Sequence, residues 1–325
     1  MFILFVGDTR YNLGPCNVNK EIIRHKSEQI LAVDFSRRYY KALDLVMKMM
    51  KSKVTVVSGV SKFNSLAIRL SKLFRRKTVY IMHGCVEHES KIDGKPRSEE
   101  GLRLERELLE SVDLILPVSR RYSEHVKKWY PQYEDKIHYW QVGVHELPAD
   151  ICVVEKQKNS LAAAGGDWLL KQNHVVSCAV EHLNGAATFT VFGPVEEKTV
   201  RNKNRNTHWM GSVDHDVFMD ALRTKELFVV NSVIESFNIS VMEALGCGCS
   251  VLISDHVGAA DIMELTDRDV IVNTNDEEEI AEKIAYLLEH PNNHRIREAM
   301  NWPDLSYDAA VKRLEKICEQ LAARR

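Results

Sequence analysis

The chain has 325 residues, with 44 Lys and Arg against 46 Asp and Glu, and is 45% hydrophobic and 28% charged. That composition excludes a disordered or low-complexity polypeptide, and a length about twice that of a typical domain predicts two domains. The near-neutral total conceals a split, because residues 1–145 hold 26 basic against 17 acidic side chains and the remainder 18 against 29. Such halves face different partners: a basic first half suits an anionic acceptor or an anionic membrane surface, and no aromatic-interleaved basic motif supports nucleic acid.

The opening apolar run, residues 1–6, stops at Gly7-Asp8. It is too short for a signal peptide or a membrane span and reads as a buried first strand, which predicts a cytoplasmic protein without a processed leader. Further strands are expected over 54–58, 78–82, 114–118 and 139–144, separated by helices over 40–51, 64–74, 99–111 and 119–129. After a polar, Pro-containing connection at 146–159 the rhythm repeats, with strands at 161–164, 188–192, 209–210, 227–230, 250–253 and 270–272. The helices of this half are expected over 174–183, 216–224, 238–245 and 277–289.

Apolar strands alternating with helices give parallel sheets covered on both faces. The expected fold is therefore α/β, two Rossmann-like doubly wound domains facing across a cleft, with the last helix returning to the first domain. The domain bounds are drawn at 1–146, 147–303 and 304–325. Ligands in such folds bind beyond the carboxyl ends of the strands.

Seven cysteines lie scattered from Cys16 to Cys318. The one close pair, Cys247-Gly248-Cys249, lacks a second ligand pair and reads as core thiols. Asp214-His215-Asp216 has the form of a metal-binding D-x-D, yet helix initiation, with Asp214 as N-cap and Asp216 in the first turn, accounts for it better. The basic stretch 72–77 reads as a solvated helix end, or, with the Met- and Lys-rich stretch 45–53, as a surface for anionic lipid. No G-x-G-x-x-G follows a strand, which removes a dehydrogenase reading, and neither a G-x-S-x-G nor a Walker A string occurs.

The segment 231–255 carries the chemistry. A buried strand ends at Val230, a loop runs to Phe237, and a helix N-capped by Asn238 starts there, so its free N–H groups form an anion site. Glu243 sits among apolar neighbours in that helix and needs donors or a cationic partner. Glu235 lies in the loop, so two carboxylates flank one anion site, as hydroxyl-rich groups flank the diphosphate of a sugar nucleotide.

The string Glu235-x7-Glu243-Ala244-Leu245-Gly246-Cys247-Gly248 closely resembles the E-x7-E signature of the family 4 glycosyltransferases, which have the GT-B fold. The loop 163–171 resembles the family's phosphate loop ending in Lys171, and the strand ends at Gly193 and 208–213 follow in order. The stretch Tyr80-Ile81-Met82-His83-Gly84 resembles the strand whose His faces the donor sugar. Residues 141–144 sit at the family's interdomain turn, and Trp302 with the helix after Ser306 resembles its returning tail. Departures are Trp168-Leu169-Leu170 where the family has an Arg before Lys171, Ser236 where a Gly is usual, and a single Gly in the turn Leu13-Gly14-Pro15-Cys16-Asn17.

The resemblance implies transfer with retention, with no metal and no cofactor beyond the donor itself. It places Glu235 and His83 on the donor hexose as the catalytic pair and Glu243 on the ribose. Lys171 and the N–H groups at Asn238, Ile239 and Ser240 would hold the diphosphate, with Phe237, Gly193 and Gly14 lining the donor and Pro15 and Asn17 the acceptor. The expected partners are a UDP-sugar and, from the basic first half, a glycan or lipid-linked acceptor in bacterial surface polysaccharide synthesis, with peripheral contact on an anionic membrane. A non-catalytic sugar-nucleotide-binding subunit and a sugar-nucleotide 2-epimerase are the alternative readings.

Overall fold

A computed structural model of the chain describes residues 1–11, 14–36, 40–147, 154–195 and 204–324. It divides into two compact units, one of Met1–Lys91, Lys95–Glu146 and Asn301–Arg325, the other of Ile92–Gly94 and Leu147–Met300.

The first unit is built on β1 (Ile3–Gly7), β2 (Ile30–Ala32), β3 (Val54–Ser58), β4 (Lys77–Met82) and β5 (Leu114–Pro117), in the order β2-β1-β3-β4-β5. All its pairings are parallel. β1 and β3 are buried at every position, as strands covered on both faces must be. The terminal helix Tyr307–Ala323 belongs to this unit, where the Trp140 indole donates to Ala310 O at 2.9 Å. A Cβ at Gly143 would lie 2.6 Å from Tyr307 Cα, so the turn there passes directly against that helix.

The second unit has β6 (Ser160–Ala164), β7 (Thr188–Phe192), β8 (Thr207–Gly211), β9 (Leu227–Val230), β10 (Ser250–Ser254) and β11 (Val270–Ile271). Their order is β11-β10-β9-β6-β7-β8, again wholly parallel. Its core packs Leu161, Phe189, Val229 and Leu252 of the sheet against Val176 and Val180 of the helix Asn173–Glu181 and Ile280 and Ile284 of the helix Glu277–Glu289. Two Rossmann-like α/β units with parallel sheets are thus what the structure contains.

Several local expectations change. Residues 139–144 form no strand: His138 N and Trp140 N donate to Ile115 O and Pro117 O, but Val142 N reaches Val118 O, so the two-residue step is lost and the ladder ends. β2 was not expected, being only three residues long. The turn at Gly14–Asn17 is the first turn of a helix, Gly14–Arg24, in which Pro15 is tolerated because the N–H it lacks has no helical acceptor there; Leu13 lies outside the described residues. The helices Val86–Asp93 and Asn293–Ala299 were also unforeseen.

Among the described residues Cys16, Cys85, Cys247, Cys249 and Cys318 are buried and behave as core thiols, with Cys178 half-buried. Cys249 Sγ lies 3.1 Å from Leu222 O and 3.2 Å from Lys225 O, and burial pushes its pKa up to about 12. Among the described residues no three His, Cys, Asp or Glu side chains cluster in a metal-holding arrangement, and no helix is long and apolar enough to cross a membrane.

Candidate functional site

In the second unit the candidate residues sit on loops at the carboxyl ends of β6, β7 and β9, which a parallel sheet brings to one edge. The loop after β6 opens with Gly165 and Gly166, both at positive φ (99° and 61°). Gly166 N donates to Phe192 O at 2.9 Å and Asp167 N to Pro194 O at 3.1 Å, fastening this loop to the one after β7. The approach is so close that a Cβ on Gly193 would lie 2.6 Å from Gly166 N. Gly193 thus acts through its backbone (φ 121°), holding the loop after β6 in shape.

Gly165 has a different task. A Cβ there would lie 2.6 Å from Lys171 Cγ, so its bare backbone lets the lysine stem lie along the loop. The short 3-10 turn Leu169–Lys171 then delivers Nζ to the carboxylate of Glu235, with which it forms an ion pair. Both side chains are mostly buried, 20% and 15% exposed. The two groups expected to hold different parts of one ligand therefore hold each other.

The loop bearing Glu235 is braced on both sides. Val233 N donates to Leu170 O at 3.0 Å, Glu235 N to His256 O at 3.3 Å, Gly258 N to Glu235 O at 3.1 Å and Ala259 N to Phe237 O at 2.8 Å. Phe237 is buried and anchors the loop rather than presenting a ring to solvent. The helix that follows, Ile239–Gly246, begins one residue later than expected.

Asn238 occupies the N-cap position, but its side chain makes no capping bond. Its backbone is left-handed (φ 76°), and its amide reaches Glu235 at 3.4 Å. The first N–H groups of this helix, at Ile239 and Ser240, are consequently not spent on a side-chain cap, and a helix start leaves such groups without helical acceptors.

Glu243 is 23% exposed and has found a partner, since its Oε1 lies 2.8 Å from His215 Nε2. The sequence reading missed His215, although it stands at the centre of the Asp214-His215-Asp216 string. Asp214 is at the N-cap position of the helix His215–Arg223, again with no side-chain cap bond, and Asp216 is in the first turn. Helix initiation there rests on backbone position and on Asp216 beside the positive helix end.

In the first unit His83 follows β4, and its Nε2 lies 2.8 Å from Ser58 Oγ at the end of β3. Desolvation lowers its pKa to about 4, so the imidazole is neutral at physiological pH and offers one donor and one acceptor. Ser58 is a further polar group at this strand edge that the sequence reading did not single out. Gly14 starts the first helix with open space where a Cβ would stand. Pro15 and Asn17 are exposed on its first turn, Asn17 Oδ1 accepting from Lys20 at 3.2 Å. Asp8, after β1, pairs with Arg10 at 2.7 Å, which holds its carboxyl below the usual range.

Comparison with known proteins bears on this arrangement. The chain resembles, at 26% identity over 151 residues, N,N'-diacetylbacillosaminyl-diphospho-undecaprenol alpha-1,3-N-acetylgalactosaminyltransferase of Campylobacter jejuni, covering 46% of this chain and 33% of that relative. The chain thus spans about a third of the length of the curated relative it matches. Among solved structures, Alr3699/HepE of Anabaena in complex with UDP-glucose superposes with a TM-score of 0.67 at 14% identity, over 98% of this chain and 100% of that one. Sucrose-phosphate synthase of Thermosynechococcus elongatus gives 0.68 at 13% identity, over 99% of each. At such identities the likeness is one of fold. The family model described as glycosyl transferases group 1 matches residues 158–301, which assigns that region, the whole of the second sheet and its candidate loops, to a glycosyltransferase family.

Proposed function

We propose that the chain is a retaining, metal-independent glycosyltransferase that moves a hexose from a nucleotide-diphosphate sugar, preferably a UDP-sugar, to a glycan or lipid-linked acceptor. The observation that carries this reading is the convergence, at one sheet edge, of Lys171, Glu235 and the uncapped start of the Ile239–Gly246 helix, with Glu243 one further turn along it. One cation and a helix start suit a diphosphate, and two carboxylates suit hydroxyls on either side of it.

In this reading the diphosphate draws Lys171 from Glu235, and the freed carboxylate accepts from the donor hexose. Glu243 accepts from the ribose diol once His215 yields. Fixed donors stabilise the charge that develops on the departing diphosphate. His83, neutral at pH 7, contacts the same hexose by a hydrogen bond, and the acceptor hydroxyl gives its proton to the leaving phosphate oxygen. Gly14, Pro15 and Asn17 border the acceptor.

Solved structures of similar fold hold UDP or UDP-glucose, which favours uracil as the base. The Campylobacter relative is named for an undecaprenol diphosphate acceptor, which favours a lipid carrier and, with it, bacterial surface polysaccharide synthesis.

Incubating the chain with UDP-glucose or UDP-N-acetylgalactosamine and EDTA, without acceptor, should release free sugar and UDP slowly. Binding without release indicates a donor-binding subunit, and a 2-epimeric sugar indicates an epimerase. Release that needs added manganese contradicts the metal-independent mechanism.

A further inference from the structure

The first unit carries a surface that the proposed chemistry does not use. In the helix Lys41–Lys51, Leu45 and Met49 are fully buried, and Ser71 Oγ of the next helix donates to Met49 Sδ at 3.9 Å. Tyr40, Leu43, Met47 and Met50 recur at spacings of three and four, so they share the opposite face, and each is more than half exposed. This helix is therefore apolar on both sides, although only one side packs on the protein.

The neighbouring helix Lys62–Leu73 extends the patch, with Leu66, Leu73 and the following Phe74 exposed. Contacts tie the two helices together at both ends: Lys41 Nζ lies 4.8 Å over the Phe63 ring, and Arg76 Nη2 donates to Met50 O at 3.2 Å. The apolar face is thus shared by both. An exposed apolar patch of this kind marks an interaction surface.

Charge decides what it meets. Residues 40–86 hold ten Lys and Arg and a single acid, Asp44. Asp44 is spent on Lys48, while Lys62 and Arg69 are paired with Glu100 and Glu107 of the helix Glu99–Ser111. Among the described residues Lys51, Lys53, Lys72, Arg75, Arg76 and Lys77 form no ion pair; the first five lie at the ends of these two helices or in the turns that follow them, and Lys77 opens β4. A second copy of the chain would bring the same cations face to face and be repelled. An anionic bilayer offers both complements, an acyl region for Leu, Met and Phe and headgroup charges for Lys and Arg.

We infer that this two-helix face, centred on Leu43, Met47 and Met50 and rimmed by Lys51, Lys53, Lys72 and Lys77, docks peripherally on an anionic lipid surface. Insertion is shallow, because the buried side of each helix stays packed within the unit and only the outer side chains enter the interface. Neither apolar contact nor charge suffices alone; binding requires both.

The test is co-sedimentation of the full chain with vesicles of phosphatidylglycerol and phosphatidylcholine in equal parts, against phosphatidylcholine alone. The chain should sediment with the anionic vesicles only, and added salt should weaken the association. Met47→Glu with Met50→Glu, and separately Lys51→Glu with Lys72→Glu, should each reduce binding at least about tenfold. Both pairs are solvent-facing, so release of sugar from a soluble donor without vesicles should stay at the parent level. Failure of the parent chain to sediment with the anionic vesicles overturns the inference, as does binding that survives both double substitutions. A concentration-dependent dimer abolished by Met47→Glu, with no vesicle binding, overturns it in favour of self-association.

Discussion

Glu235→Gln should lower turnover about 100-fold or more while leaving affinity for UDP unchanged or tighter. The substitution keeps the side chain's size and removes its charge, so the amide can no longer neutralise Lys171. The lysine, otherwise ion-paired and 20% exposed, then becomes available to phosphate without first breaking a pair. What is lost is the anionic acceptor for the hexose hydroxyls, an interaction assigned to the reacting sugar and not to the nucleotide. Steady-state kinetics beside UDP titration separate the two effects. Undiminished turnover, or UDP affinity that falls in step with turnover, contradicts the division of labour between Glu235 and Lys171.

Gly166→Ala should destabilise the second unit by about 3 kcal/mol or more. A Cβ there would stand 1.8 Å from Pro194 O and 2.7 Å from its carbonyl carbon, and these are backbone atoms that cannot swing aside. The residue also has φ 61°, a conformation that costs an L side chain about 1–2 kcal/mol by itself. Gly59→Ala provides the comparison, because its φ of 77° is equally unfavourable but a Cβ would meet nothing within 4 Å. That change should cost only the conformational part, about 1–2 kcal/mol. Chemical denaturation of both variants measures the difference. Equal losses would mean that the two loops after β6 and β7 separate easily, and the rigidity of the loop after β6 would have to be given up.

Much of this fold was legible because buried parallel strands leave a strong mark. The runs at 54–58, 188–192 and 227–230 coincide with β3, β7 and β9 residue for residue. They are short, apolar and closed by Ser, Gly or Asn, which leaves little freedom in where they stop. β2 escaped because a three-residue edge strand half open to solvent has no such pattern. The segment 139–144 misled for the opposite reason, since its alternating apolar residues serve two neighbours: Trp140 turns to the terminal helix while the backbone follows β5.

The site was legible as a set of residues and less so as a set of contacts. Glu235 and Glu243 could be found from their spacing. That Glu235 is engaged by Lys171 and Glu243 by His215 depends on loops brought together across the sheet edge, which no local pattern records. Asn238 illustrates the limit: Asn before a helix predicts a cap, but here its side chain points to Glu235 and its backbone takes the left-handed form. His83 could be placed at a strand end, whereas its neutral state follows from burial beside Ser58, a tertiary effect.

The claim on which the rest stands is that the second unit holds a nucleotide sugar with Glu243 on its ribose. Titration calorimetry of the chain and of Glu243→Ala with UDP-, GDP- and ADP-sugars tests it most directly. One donor series should bind saturably to the parent chain, and the substitution should weaken it by about 1.5–3 kcal/mol, or about 10- to 150-fold, through loss of charge-assisted hydrogen bonds. Absence of binding to every donor, or an unchanged affinity in a folded Glu243→Ala chain, would contradict it.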